Sequence, residues 1–89
     1  MSTTWLPGAE LIEQGLIDLA GHVESVAALL VSIGAPRLRA VGHDVPRVVP
    51  APELRLYAML TETHGDGAHG QFNALVRRLV SYERARCVT

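Results

Sequence analysis

The sequence predicts an all-α protein, a compact bundle of four to five short helices that associates through apolar faces. Three observations lead there. Apolar residues make up 48% of the chain but only four are aromatic (Trp5, Tyr57, Phe72, Tyr82), so the core has to be built from Leu, Val, Ile and Ala. The apolar positions recur at helical spacing, with no convincing alternation of period two. Glycines and prolines fall between the periodic stretches, where they start or stop helices. At 89 residues the chain is expected to form a single small helical domain, 1–89, in a size range where burial against a second chain often supplements a modest core.

Residues 1–6 are expected to be a flexible N-terminus. Pro7 suits a first helical turn, and Glu10 and Glu13 lie near the positive end of a helix running to about Ala20. Its wheel places Leu11, Ile12, Gly15, Leu16 and Leu19 on one face and Glu10, Glu13, Gln14 and Asp18 opposite, with Ile17 a misfit on the polar side. Gly21 then punctuates. A second helix from about Val23 to Ile33 is apolar around most of its circumference, leaving Glu24, Ser25, Ala28 and Ser32 as a narrow wettable strip. Such a helix is buried on more than one side. Gly34 is expected to end it as a left-handed cap, and Pro36 to open a short third helix, PRLRAV, that stops at Gly42.

Pro46, Pro50 and Pro52 remove backbone donors and hold 43–52 as a Pro-rich extended connector across the surface. A fourth helix, with Pro52 and Glu53 in its first turn, runs to about Thr63. It has two apolar faces, with Leu54, Tyr57, Ala58 and Thr61 on one side and Leu56, Met59 and Leu60 on the other. Asp66 is expected to cap the last helix, from about Ala68 to Arg86, whose core face is Phe72, Leu75, Val76, Leu79 and Val80.

Composition excludes several classes of function. The first residues lack a basic stretch ahead of an apolar one, and the longest apolar run, VAALLV, is far below the roughly 20 residues of a membrane span, so no secretory leader and no membrane partner are expected. The single cysteine, Cys87, can close no internal disulfide, and a cytoplasmic setting is expected. The net charge of −1 hides an asymmetry. Residues 1–35 carry four acids and no base, whereas residues 36–89 carry eight arginines against five acids.

The stretch HGDGAHG contains a literal G-x-G-x-x-G at Gly65, Gly67 and Gly70, yet a helix is expected before it where the dinucleotide fingerprint needs a strand. A helix connector is the better reading, with anion capture at the last helix's N-terminus as a weaker one. His64, Asp66 and His69 could ligate a metal, but their spacing across a flexible connector fixes no geometry. No cofactor and no metal are expected. Serine and Cys87 stand in no nucleophile arrangement, so catalysis is not expected. Arg37 and Arg39 suggest a recognition helix but point about 200° apart on a short element.

The last helix carries the most specific signal. His69, Asn73, Arg77 and Arg84 fall in a narrow band along one edge of its apolar face, a polar stripe that could grip an anion or a partner backbone. The competing reading is a wet flank of the core. Glu83 projects from the middle of the apolar face, where an unpaired charge is costly, so it should form a buried ion pair with Arg86, Arg37, Arg39 or Arg55 unless the turn extends past the core.

These features point to a small non-catalytic protein that acts through protein–protein association, as a homodimer joined by isologous patches or as an accessory or regulatory subunit of another protein. The reason is that two helices carry more apolar arc than one core-facing stripe. The alternative is a nucleic-acid-binding regulator using the arginines of residues 36–89, against which stands the near-neutral total charge. A third class is a small enzyme with His69 as base.

Overall fold

A computed structural model describes residues 8–87, and the side chains of residues 8–86. The flexible stretch expected over 1–6, the placement of Pro7 and any role of the Cys87 thiol lie outside the described residues. What is described is all-helical, with no strand: α1 spans Ala9–Ala20, α2 Val26–Ala40, α3 Pro52–His64 and α4 Ala68–Cys87, with a 3-10 turn at Gly65–Gly67. The expected count of four to five separate helices is corrected to three helical stretches. Helix α2 absorbs the element expected at Pro36, and α3 and α4 follow one another through the 3-10 turn with no loop residue between them.

Helix α2 is the central element, packed by α1, α3 and α4. It begins at Val26, three residues later than the periodicity suggested, because Ser25 takes the N-cap: its hydroxyl accepts from the Ala28 N–H (3.1 Å) and donates to the Asp18 carboxylate (2.6 Å). Gly34 is no cap. It lies buried within the helix, and Pro36 follows inside it. A proline there removes a backbone donor and costs about 3 kcal/mol. Full burial of Ala35 and Leu38 on either side of it offsets that, since one buried Leu side chain contributes about 1.5–3 kcal/mol. The helix stops instead at Val41, beyond which Gly42 takes φ 102°.

The strip expected to be wettable on α2 is also corrected, since Ala28 and Ser32 are buried. The connector lies over them. Its Val45 and Val49 are core residues, the Val49 N–H donates to the Ser32 hydroxyl (3.1 Å), and that hydroxyl donates to the Ala28 carbonyl (3.0 Å). One serine therefore satisfies the helix and anchors the crossing chain. Most of the apolar circumference of α2 is enclosed within a single subunit, with Ala27 to Val31, Ala35 and Leu38 buried, and what stays open lies at Ile33, Ala40 and Val41.

Two glycines set the helix spacings. A Cβ on Gly15 would lie 2.4 Å from both the Ala27 carbonyl oxygen and Val31 Cγ2, so α1 and α2 touch backbone to backbone there. A Cβ on Gly34 would lie 2.7 Å from Leu79 Cδ1 and 2.8 Å from Glu83 Oε2, ends of α4 side chains. The remaining face of α1 follows the wheel, with Ile12 and Leu19 buried, Leu11 and Leu16 packed on the core and Ile17 exposed. Substituting Gly15 by Ala is expected to destabilise the fold by about 1–3 kcal/mol, the usual cost of overpacking, and by more than Gly34→Ala, because backbone yields less than side-chain ends; denaturant unfolding of both variants measures the order.

Candidate functional site

The residues left for function are those that α2 does not use. On α3, Leu56 and Leu60 are buried, while the opposite face stays open, with Leu54 75% and Tyr57 40% exposed and Ala58 and Thr61 exposed beside them. Tyr57 leads onto α4, its ring centroid 5.9 Å from that of Phe72 and 6.5 Å from that of His69. From Phe72 the half-covered seam of α4 continues through Val76 and Val80 at one-turn spacing. It ends in a trough between α4 and the C-terminal half of α2. The trough consists of two adjoining hollows of about 290 and 300 Å³ that share Arg37, Val80 and Glu83. Ala40, Val41 and Arg84 close one of them, Ile33, Pro36, Val76 and Leu79 the other.

The polar stripe borders this seam. His69, Arg77 and Arg84 are exposed and Asn73 is half-buried. Asn73 Nδ2 lies 3.2 Å from His69 Nε2, which joins the first two into a unit, whereas Arg77 and Arg84 make no hydrogen bond or ion pair among the described residues. The stripe is thus a row along one helix and converges on no single point.

Glu83 lies in the floor of the trough, 7% exposed, with Oε1 3.8 Å from Arg37 Nη1. Arg37 itself is 76% exposed, so water screens this contact. Oε2 has no hydrogen-bond partner and is pressed against Gly34. Burial therefore raises the Glu83 pKa above the ordinary carboxyl value, with Arg37 opposing weakly. Of the other arginines considered as partners, Arg39 donates to the Val45 carbonyl (3.2 Å), Arg86 to the Val41 carbonyl (3.1 Å), and Arg55 makes a two-pronged pair with Glu24 (3.0 and 2.8 Å).

A buried polar pair was missed from the sequence. Tyr82, fully buried in α4, meets His43 of the connector, with Nε2 2.5 Å from the hydroxyl oxygen. Burial and the nearby Arg86 charge lower the His43 pKa, Glu13 partly opposing. Tyr82 continues the 3–4 spacing from Leu75 and Leu79 and could have been found by it. His43 follows Gly42 in an irregular segment and gave no signal.

The glycine motif resolves as the bend between α3 and α4. Gly65 takes φ 55° and ψ −119°, a conformation suited to glycine, and its N–H bonds to the Thr61 carbonyl. The Ala68 N–H bonds to the Gly65 carbonyl, so this one donor is taken up by helical bonding. Asp66 sits inside the 3-10 turn, and Gly67 is the residue next to α4, which corrects the expected cap. No set of three or more His, Cys, Asp or Glu side chains able to hold a metal ion occurs among the described residues. No helix among them is long and apolar enough to cross a membrane. Comparison with protein families, with characterised proteins and with solved structures gives no match.

The buried carboxylate makes a testable pH signature. Because the folded pKa of Glu83 is raised, the folded state binds more protons than the unfolded state between the ordinary value of 4.5 and the raised one. The Glu83 contribution to stability therefore falls as pH rises through that window, and its penalty is complete above it. Replacing Glu83 by Gln is expected to stabilise the protein at pH 8, with the advantage shrinking as pH falls toward the ordinary carboxyl value, as read by denaturant unfolding at a series of pH values.

Proposed function

We propose that this protein is a small non-catalytic module that works by protein–protein association, first with a second copy of itself, in a cytoplasmic setting. The observation that carries the reading is the uncovered apolar face of α3, with Leu54 three-quarters exposed, running on through Tyr57 to the half-covered seam of α4. A continuous apolar band on a small chain exposes surface that association removes from water. A homodimer is the simplest such complex, and a regulatory or accessory role follows from binding without chemistry.

The chemistry-bearing side chains support this reading, since most already have structural work. His43 is engaged with Tyr82, Ser25 caps α2 and Ser32 anchors the connector. The arginines weaken the nucleic-acid alternative. Arg37, Arg39, Arg47, Arg55 and Arg86 all make contacts within the chain, Arg47 to His22, and those groups are poorly placed to form a phosphate-binding surface.

Light scattering across a dilution series tests the proposal. The expected mass is about twice the 9.6 kDa of the chain at high concentration, falling toward the monomer on dilution. Leu54→Asp should abolish the dimer while changing stability by no more than about 0.5 kcal/mol, as for other surface substitutions. A wild-type chain that stays monomeric at the highest concentration rejects self-association.

A further inference from the structure

The band described above is polarised along its length. At the end near the 3-10 turn stand Asp66 and Glu62, both exposed acids, with α3's open face beside them. At the other end stand Arg84 and Arg37, both exposed, over the apolar trough. A face with acid at one end and base at the other complements its own copy when the copy is reversed, and it repels that copy when aligned in parallel.

The stripe on α4 has the same symmetry in detail. Asp66 precedes Arg84 by 18 residues, about five helical turns, so the two stand on the same edge of the helix apart from the small phase change of the 3-10 turn. Counted along the chain they are equidistant from position 75, and so are Asn73 and Arg77, all four on the side of α4 turned away from the core-packed Leu75. Reversing a second α4 about that centre brings each arginine opposite an acceptor on the other copy. Asn73 has one to offer: with its Nδ2 on His69, its Oδ1 is free for a guanidinium. The same reversal lays α3's open face over the second copy's trough, because the two features lie at opposite ends of one seam.

From this juxtaposition we infer that two copies of the chain pack with their α4 helices antiparallel about a two-fold axis passing between Asn73 and Arg77, Asp66 of each copy facing Arg84 of the other and Asn73 facing Arg77. Leu54 and Tyr57 of each copy then cover the Val80 and Val41 side of the other's trough. Both contacts occur twice, as an isologous interface requires. This arrangement rests on the self-association proposed above and specifies its register.

A charge exchange tests the register separately from association. Asp66→Arg alone places two arginines at each junction, and Arg84→Asp alone places two acids there. Each variant by itself should dimerise at least about tenfold more weakly than wild type, in line with the effect of like charges across an interface. Mixed in equal amounts, the two variants should form a heterodimer about as tight as wild type, because every junction in the mixed complex again pairs arginine with aspartate. Labelling one variant and following it by fluorescence anisotropy reads this directly, with circular dichroism confirming that each variant is helical. A dimeric wild type whose mixed variants associate no better than either alone overturns the antiparallel register while leaving self-association standing. A monomeric wild type overturns both.

Discussion

Helix α2 can lie at the centre of so small a protein because glycine lets the backbone of α1 and the side chains of α4 approach it closely. At Gly15 there is no room for even one methyl group between α1 and the Ala27–Val31 turn of α2, and at Gly34 the ends of Leu79 and Glu83 occupy the place a Cβ would take. Tight spacing is what lets a core made of aliphatic side chains, with Tyr82 as the one fully buried aromatic ring among the described residues, pack closely. Every other feature of the fold is arranged around this enclosed helix. The connector takes the side that α1, α3 and α4 leave open, and Ser32 supplies the polar contact that keeps the connector there.

The close approach at Gly34 also explains an unfavourable feature. Glu83 enters the α2–α4 junction on the side of α4 that packs inward, and its Oε2 finds Gly34 rather than a donor. Arg37 reaches the other oxygen only at 3.8 Å and from solvent. A buried carboxylate so weakly compensated lowers stability. It also keeps the floor of the trough from being uniformly apolar, and the trough is where the partner's α3 rests in the proposed dimer.

Enclosing α2 has a second consequence, since it settles which apolar surface is surplus. Two helices in this sequence carry apolar residues on two sides. For α2 both sides are covered inside the subunit, by α1 and α4 and by the connector valines. For α3 the Leu56–Leu60 side is buried, whereas the Leu54–Tyr57 side stays largely open, met at Tyr57 by Phe72 and His69 of α4. The surplus apolar surface is therefore one particular face of α3 and the seam it joins.

The sequence by itself determined what depends on neighbours along the chain. The helical class, the end of α1 near Ala20, the extent of α4, the Pro52 start of α3 and the exposure of Ile17 all follow from periodicity and from local backbone chemistry, which act over a few residues. Tertiary structure decided whatever depends on packing between distant segments. Gly34 reads locally as a helix stop, and Pro36 as a start, but burial of Ala35 and Leu38 against other elements outweighs both signals and joins the two helices into one. The Ala28–Ser32 strip reads as wet until a connector seventeen residues on covers it, and His43 has no readable partner until Tyr82 arrives from α4. Propensity is a matter of tenths of a kcal/mol to about 3 kcal/mol per residue, and burial of several side chains exceeds it, so the local reading failed where the core passes through.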